Sequence, residues 1–263
     1  MTKRTCLFLT AIFFFSAAFI PAFSQAAEIG KGVKVTYLGH AAFNLVSPQG
    51  VNILIDPFLK NNPKTPAEMK EVEKADLILV THGHADHLGD TLSIAQKTNA
   101  TVVAMAELAG YLTKKGVKNA VRMNKGGSYT AKGIRIIMVN ALHSSSVTEG
   151  DQVIYAGEPV GFIIRFENGF TVYHAGDTAV FYDMKILSDL YKPNLALLPI
   201  GGHFTMDPNE AAYACKLLRP QYVVPMHFGT FPLLTGTTEE FTRLLKDQPE
   251  VKILIMNPGQ TIN

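Results

Sequence analysis

The sequence predicts an α/β protein in which sheets pack against each other with helices outside. Three observations predict it. Short segments rich in Val, Ile and Leu recur from residue 33 to residue 256, many of them bounded by turn residues. Helix signals are fewer and fall between those segments. The chain has 263 residues, 47% hydrophobic and only 17% charged, enough for one domain with a sizeable core and without the composition of a disordered chain.

The strand-like segments, in order, are "VKVTYLG", "VNILID", "DLILVTH", "TVVAM", "IRIIMVNA", "VGFIIRF", "FTVYHAG", "LALLPIG", "YVVPMH" and "KILIM". Between the second and third, the polar, Pro-containing stretch 61–74 reads as a surface loop with at most a short helical turn. "AELAGYLTKKG" reads as a helix stopped by Gly116. "DPNEAAYACKLL" has Asp207 as N-cap, Pro208 at the first position and Glu210 as capping-box partner, and "TTEEFTRLLKD" repeats the device with Thr237 and Glu240.

Residues 1–27 have the pattern of a secretory signal peptide: basic "MTKR", an apolar run, then small residues suited to cleavage near Ala27, with 22–24 or 24–26 as other cleavage sites. An uncleaved anchor is the competing reading, although the run is short for a span. The expected domain is therefore 28–263, exported and periplasmic, without stable membrane insertion after cleavage. Removing Lys3 and Arg4 lowers the basic count from 24 to 22, equal to the 22 acidic residues, so the mature chain has no net charge. No Lys/Arg-rich block is present, which gives a nucleic-acid partner no support. Cys6 is lost with the leader, leaving Cys215 in a helical stretch as a small buried hydrophobe.

The chemistry concentrates in "THGHADHLGD", residues 81–90, which holds three of the eight histidines directly after an apolar strand. His82 and His84 are two apart, so on extended backbone both rings point to one side. Gly83 lets the chain turn, and Asp86 and His87 follow where a helix begins. Imidazole and carboxylate are the ligands of zinc and similar divalent metals, and four such groups on one turn can serve one ion or two. His143 in "VNALHSSS", Asp177 in "VYHAGDT" and His227 in "YVVPMHFG" each stand where a strand gives way to a loop. Strand ends can converge on one edge, where sites are built.

With "YLGHAAF", "ILIDPF" and "LPIGGHFTMDPNEAA", these motifs resemble the metallo-β-lactamase superfamily over the whole mature chain. Within it they are most similar to the metal-dependent hydrolases related to the ascorbate-6-phosphate lactonases. The resemblance implies a four-layer αββα sandwich with a binuclear site on one edge. His82, His84 and His143 would hold the first metal, Asp86, His87 and His227 the second, and Asp177 would bridge them. The ions are expected to be Zn2+, with Mn2+ or Fe as alternatives. Asp56 matches a position that orients a ligand histidine; otherwise it is a turn cap before Pro57. His40 is placed near the site, to bind substrate or to pack. His203 departs from the group's pattern and either contacts substrate or is an exposed loop residue. His174 reads as a structural histidine.

Two metals about 3.5–4 Å apart hold a water and lower its pKa toward about 7. The expected reaction is hydrolysis of a small ester-type bond, lactone or phosphodiester, in a small-molecule substrate, with Asp86 also delivering a proton to the leaving group. The rival readings are a periplasmic metal-binding protein without turnover and an iron-dependent member handling oxygen or persulfides. The sequence leaves the oligomeric state open.

Overall fold

The structure, a computed structural model, describes Thr2, residues 29–30 and residues 32–263. The expected leader and its cleavage site, Thr2 apart, lie outside those residues. Among the described residues no helix is long and apolar enough to cross a membrane.

The first half of the chain forms β1 (Lys34–Gly39), β2 (Ala42–Val46), β3 (Asn52–Ile55), β4 (Leu77–Leu79), β5 (Thr101–Met105) and β6 (Ala120–Met123). The second half forms β7 (Ser128–Ala131), β8 (Ile134–Asn140), β9 (Ser146–Glu149), β10 (Gln152–Tyr155), β11 (Val160–Arg165), β12 (Thr171–His174), β13 (Leu195–Pro199), β14 (Tyr222–Met226), β15 (Lys252–Ile253) and β16 (Thr261–Ile262). The helices are α1 (Ala85–Leu88), α2 (Thr91–Thr98), α3 (Ala106–Lys114), α4 (Met184–Tyr191), α5 (Pro208–Leu218) and α6 (Thr238–Leu244).

Two seven-stranded sheets result, ordered β16-β1-β2-β3-β4-β5-β6 and β15-β14-β13-β12-β11-β8-β7, with β9 and β10 as a separate hairpin. Each sheet is antiparallel on one side and parallel on the other: β3 to β6 run parallel in the first, β12 to β15 in the second. The inner parallel strands β4, β5, β13 and β14 are buried on both faces, which is why they read as unbroken apolar runs. β4 shows the pattern: Leu77 and Leu79 join the core between the sheets, and Ile78 joins the core under the helices.

The inter-sheet core includes Phe43, Ile53 and Val103 from the first sheet and Ile136, Phe162 and Val224 from the second. α2 and α3 cover the outer face of the first sheet through Ile94, Leu108 and Leu112. α4, α5 and α6 cover the second through Leu187, Ala211, Cys215 and Phe241. This is the αββα sandwich. Cys215 is free and buried, as expected.

The helix signals worked where a side chain caps. Asp207 accepts from the Glu210 amide at 2.8 Å and Glu210 returns to the Asp207 amide at 3.3 Å. Thr237 accepts from the Glu240 amide at 3.2 Å, but there the return half is replaced by a Glu240–Arg243 pair at 3.8 Å. α2 and α4 carry no side-chain cap, and the sequence reading missed both. Asp90, at the head of α2, is spent instead on the Leu59 and Lys60 amides at 2.9 Å each. The expected loop at 61–74 holds one 3-10 turn, Ala67–Met69. "KILIM" pairs as a strand only at its first two residues; its continuation crosses to the first sheet, where β16 joins β1.

Candidate metal centre

The C-terminal ends of β1, β3, β4, β8, β12 and β14 lie at one edge of the sandwich, and the residue or short loop after each brings a polar side chain there. These are His40, Asp56, His82 to His87, His143, Asp177 and His227. Hydrogen bonds join the sheets at this edge. The Val160 amide donates to Thr81 O at 3.0 Å and the His227 amide to His40 O at 2.7 Å. His174 Nε2–H donates to Ala41 O at 2.9 Å. His174 also accepts from the Gly176 amide through Nδ1 at 3.1 Å, so both ring nitrogens are used. It is a structural histidine, held neutral because burial disfavours its charge.

His40, Asp56 and His227 have φ of 60°, 45° and 55°. A side chain in the left-handed region is strained, and such strain persists where the surroundings over-determine it. At these turns the strand reverses sharply enough to aim its side chain across the edge. At Gly83, an added Cβ would lie 2.7 Å from Ala156 Cβ and 2.9 Å from Ser146 O, so the ligand turn sits tight under the β9–β10 hairpin.

The donor atoms form two neighbouring groups that share one carboxylate. His82 Nε2 and His84 Nδ1 stand 3.0 Å apart, and His143 completes a group whose ligand atoms lie within 4.8 Å of one another. Asp86, His87 and His227 form a second group, together with His40. Asp177 lies between. Its Oδ2 is 3.9 Å from His82 Nε2, 3.5 Å from His143 Nε2 and 3.2 Å from His227 Nε2, and its Oδ1 is 3.2 Å from His87 Nε2. His82, His87, Asp177 and His227 are buried, whereas Asp86 is 30% exposed. His84 and His143 are also partly exposed, so the group is approached from the side of these three residues.

A second layer orients these groups. Asp56 Oδ2 stands 2.8 Å from His87 Nδ1 and accepts from the Thr81 hydroxyl at 2.6 Å, while Oδ1 takes the Thr81 amide at 2.8 Å. The Thr81 hydroxyl also lies 3.0 Å from His82 Nδ1. Asp56 is thus neither an exposed turn cap nor a direct neighbour of Asp177; it aims His87 Nε2 inward. His40 is wholly buried, with Nδ1 3.0 Å from Thr230 Oγ1 and Nε2 3.0 Å from Asp86 Oδ2. The structure therefore places His40 between Thr230 and Asp86, with one ring nitrogen on each. His203 is exposed, packs edge-on to Phe204 at 4.4 Å and belongs to neither ligand group.

Burial lowers the pKa of His82, His84, His143 and His40, the last to about 4, so these rings are neutral donors. Burial opposes charge on His87 too, but Asp177 and Asp56 override it and hold the ring above the usual histidine range. Burial would raise Asp177, yet His227 and His87 keep it well below the usual carboxylate range. His87 Nε2, Asp177 Oδ1 and both His227 nitrogens are buried without a hydrogen-bond partner. Unpartnered buried groups are costly. Inward-aimed imidazoles around an ionised carboxylate are the donor set a divalent cation satisfies, so the residues present fit such an ion.

Residues 51–228 match the family model described as a β-lactamase superfamily domain. A metal-dependent hydrolase of Rubrobacter xylanophilus, of family UPF0173, is 52% identical over 237 residues, covering 89% of this chain and 98% of its own. One from Koribacter versatilis is 50% identical over 88% of this chain and 98% of its own. The solved structure of Igni18, a metallo hydrolase from Ignicoccus hospitalis, is 41% identical, with a TM-score of 0.77 over 88% of this chain and 97% of that one. The likeness to ascorbate-6-phosphate lactonases rests on the motifs alone. Edge, ligand pattern and likeness converge: the chain belongs to the β-lactamase superfamily and, within it, to the UPF0173 metal-dependent hydrolases.

Proposed function

We propose that this metal-dependent hydrolase uses a binuclear site to cleave a small ester-type bond, a lactone or a phosphodiester. The observation that carries the reading is Asp177, whose two oxygens reach the His82/His84/His143 group on one side and the Asp86/His87/His227 group on the other. His82, His84 and His143 would hold one divalent ion, Asp86, His87 and His227 a second, and Asp177 would be shared. Bound there, zinc or a similar ion supplies a Lewis acid and an activated water.

The remaining steps belong to the chain. Asp86 is the acidic group of the cluster open to solvent, and its Oδ2 faces both His40 and the interior. It holds and delivers the proton that the leaving oxygen needs. His40, pinned by Thr230, keeps Asp86 turned toward the site. Asp56 and Thr81 fix the ring planes of His87 and His82, so that the donor set costs little to organise when the ion arrives.

The test is to purify the chain from residue 28, load it with zinc or manganese, and follow proton release from a panel of lactones, esters, thioesters and phosphodiesters. Two ions per chain and metal-dependent turnover of one class are expected, and Asp177→Ala should lose both. Two bound ions without turnover would favour a metal-binding role, and full activity in Asp177→Ala would sink the shared-ligand assignment. Activity restored by iron with oxygen alone would move the chain to oxygen chemistry.

A further inference from the structure

Apart from the 81–90 turn, which holds Asp86 and Asp90, the loops around the site are nearly free of charge and carry exposed apolar side chains. Residues 141–147, 175–182, 200–206 and 227–238 contain no Lys, Arg or Glu, and their single Asp is Asp177, in a chain that is 17% charged. On these loops Leu142 is 47% exposed, Phe204 52%, Phe231 37% and Leu233 53%. Leu142 immediately precedes His143, and its amide is held by Thr178, next to Asp177, at 2.9 Å. Phe231 lies edge-on to His40 at 5.4 Å, and His40 bonds Asp86. The loops bearing Phe204 and Leu233 are tied together by the Gly236 amide on Gly201 O at 3.1 Å.

Exposed apolar groups on several of the loops that bear a site mark a surface that something apolar covers. An anionic group remote from the reacting bond would need an arginine or lysine, or a free helix N-terminus. Among the described residues these loops hold no arginine or lysine, and the uncapped N-terminus of α4, which follows residues 175–182, begins at the acidic Asp183. The N-terminus of α5, which follows Phe204, is already closed by the Asp207 carboxylate. The adjoining 56–64 loop has two cations. Lys60 is paired with Glu71 at 3.3 Å, and Lys64 lines a hollow with Tyr37, Phe228 and the acidic Glu239.

We infer that the site selects an uncharged substrate with an apolar arm, an alkyl or aryl ester or lactone, over one carrying a second anionic group. This rests on the hydrolase reading and narrows it. The reacting carbonyl is taken by the metal ligands' side of the cleft, and the arm lies along Leu142, Phe204, Phe231 and Leu233.

The test uses hydroxamates, which chelate metal without being hydrolysed, titrated calorimetrically into the zinc-loaded protein. Hexanohydroxamate should bind at least about tenfold tighter than acetohydroxamate, since each buried methylene contributes several-fold. The monohydroxamate of adipic acid, equal in length but ending in a carboxylate, should bind no tighter than acetohydroxamate. Phe231→Ser and Leu142→Ser should flatten the gradient, and Tyr213→Ser, on the distant face of α5, should keep it. A flat series, or a carboxylate-ended probe that binds as tightly as hexanohydroxamate, overturns the inference. p-Nitrophenyl acetate and hexanoate, run alongside, separate the two claims. Turnover without a chain-length gradient overturns the apolar selection alone. A binding gradient with no turnover of either ester overturns the hydrolase reading and leaves an apolar-ligand site.

Discussion

Asp56 shows how one residue can matter without touching the ion. Its carboxylate holds His87 Nδ1 at 2.8 Å and both Thr81 donors. Asp56→Asn keeps the shape but weakens the acceptor for His87, and metal affinity should fall by about 10–100-fold. Competition with a chromogenic chelator measures it, and wild-type affinity in the variant would remove Asp56 from the orienting role. His87 also sets the proton count of metal binding. Burial works against its charge, but Asp177 and Asp56 hold it above the usual histidine range, whereas burial keeps His82, His84 and His143 neutral. Loading metal near pH 7 should therefore release about one proton per chain. Calorimetry in buffers of different ionisation enthalpy would count it, and zero release would contradict a protonated His87. The ligand candidates were legible because their residue types are rare and their spacing is tight. Their mutual distances were not, nor was the pairing of His40 with Asp86, because residues 46 apart in sequence leave no local signal.

At the scale of elements, the close contact at Gly83 makes the β9–β10 hairpin part of the site. Gly83→Ala would push a Cβ against Ala156 and Ser146 O, displacing either the hairpin or the ligand turn. Lower metal content and a lower Tm should result, and a full metal load at wild-type Tm would show that the hairpin yields freely. Asp207→Ala should cost about 1 kcal/mol through loss of the N-cap, read as a Tm drop of about 3 °C in a chain of this size. Metal affinity should not change, since α5 contributes no donor atom. The strands were legible where both faces are buried, as in β4 and β13. The β9–β10 hairpin was not, because its exposed Val153 and Tyr155 and its polar positions give no clean alternation. α2 and α4 escaped because their first turns carry no side-chain cap and neither has the glycine stop that marks the equally uncapped α3.

For the whole molecule, the donor atoms come from both sheets. His82, His84, Asp86 and His87 follow the first, and His143, Asp177 and His227 the second. Ions held between them would brace the sandwich, so chelation should lower Tm, and the shift should grow with the logarithm of metal concentration on titrating back. A Tm indifferent to chelator would place the donor groups outside the folding equilibrium. The metal-free protein should also be acid-sensitive. Burial holds His40 at about 4 in the folded chain against 6.5 when unfolded, and His82, His84, His143 and His174 shift the same way. Between those values the unfolded chain binds more protons, so stability is complete above pH 6.5 and is lost as pH falls toward 4. His87 works in the opposite direction, one group against five. Urea midpoints of the metal-free protein across that range would show the slope, and a flat profile would contradict it. Finally, β1 ends at Gly39, one residue before His40, and begins at Lys34, about 20 Å from His40 along the strand. The Ile29 amide meets the Asn263 carbonyl at 2.6 Å beyond that far end. Ile29 and Asn263 therefore meet at the pole opposite the candidate metal centre, so a bead, a fusion partner or a surface attached through Asn263 would leave the mouth of the site pointing outward.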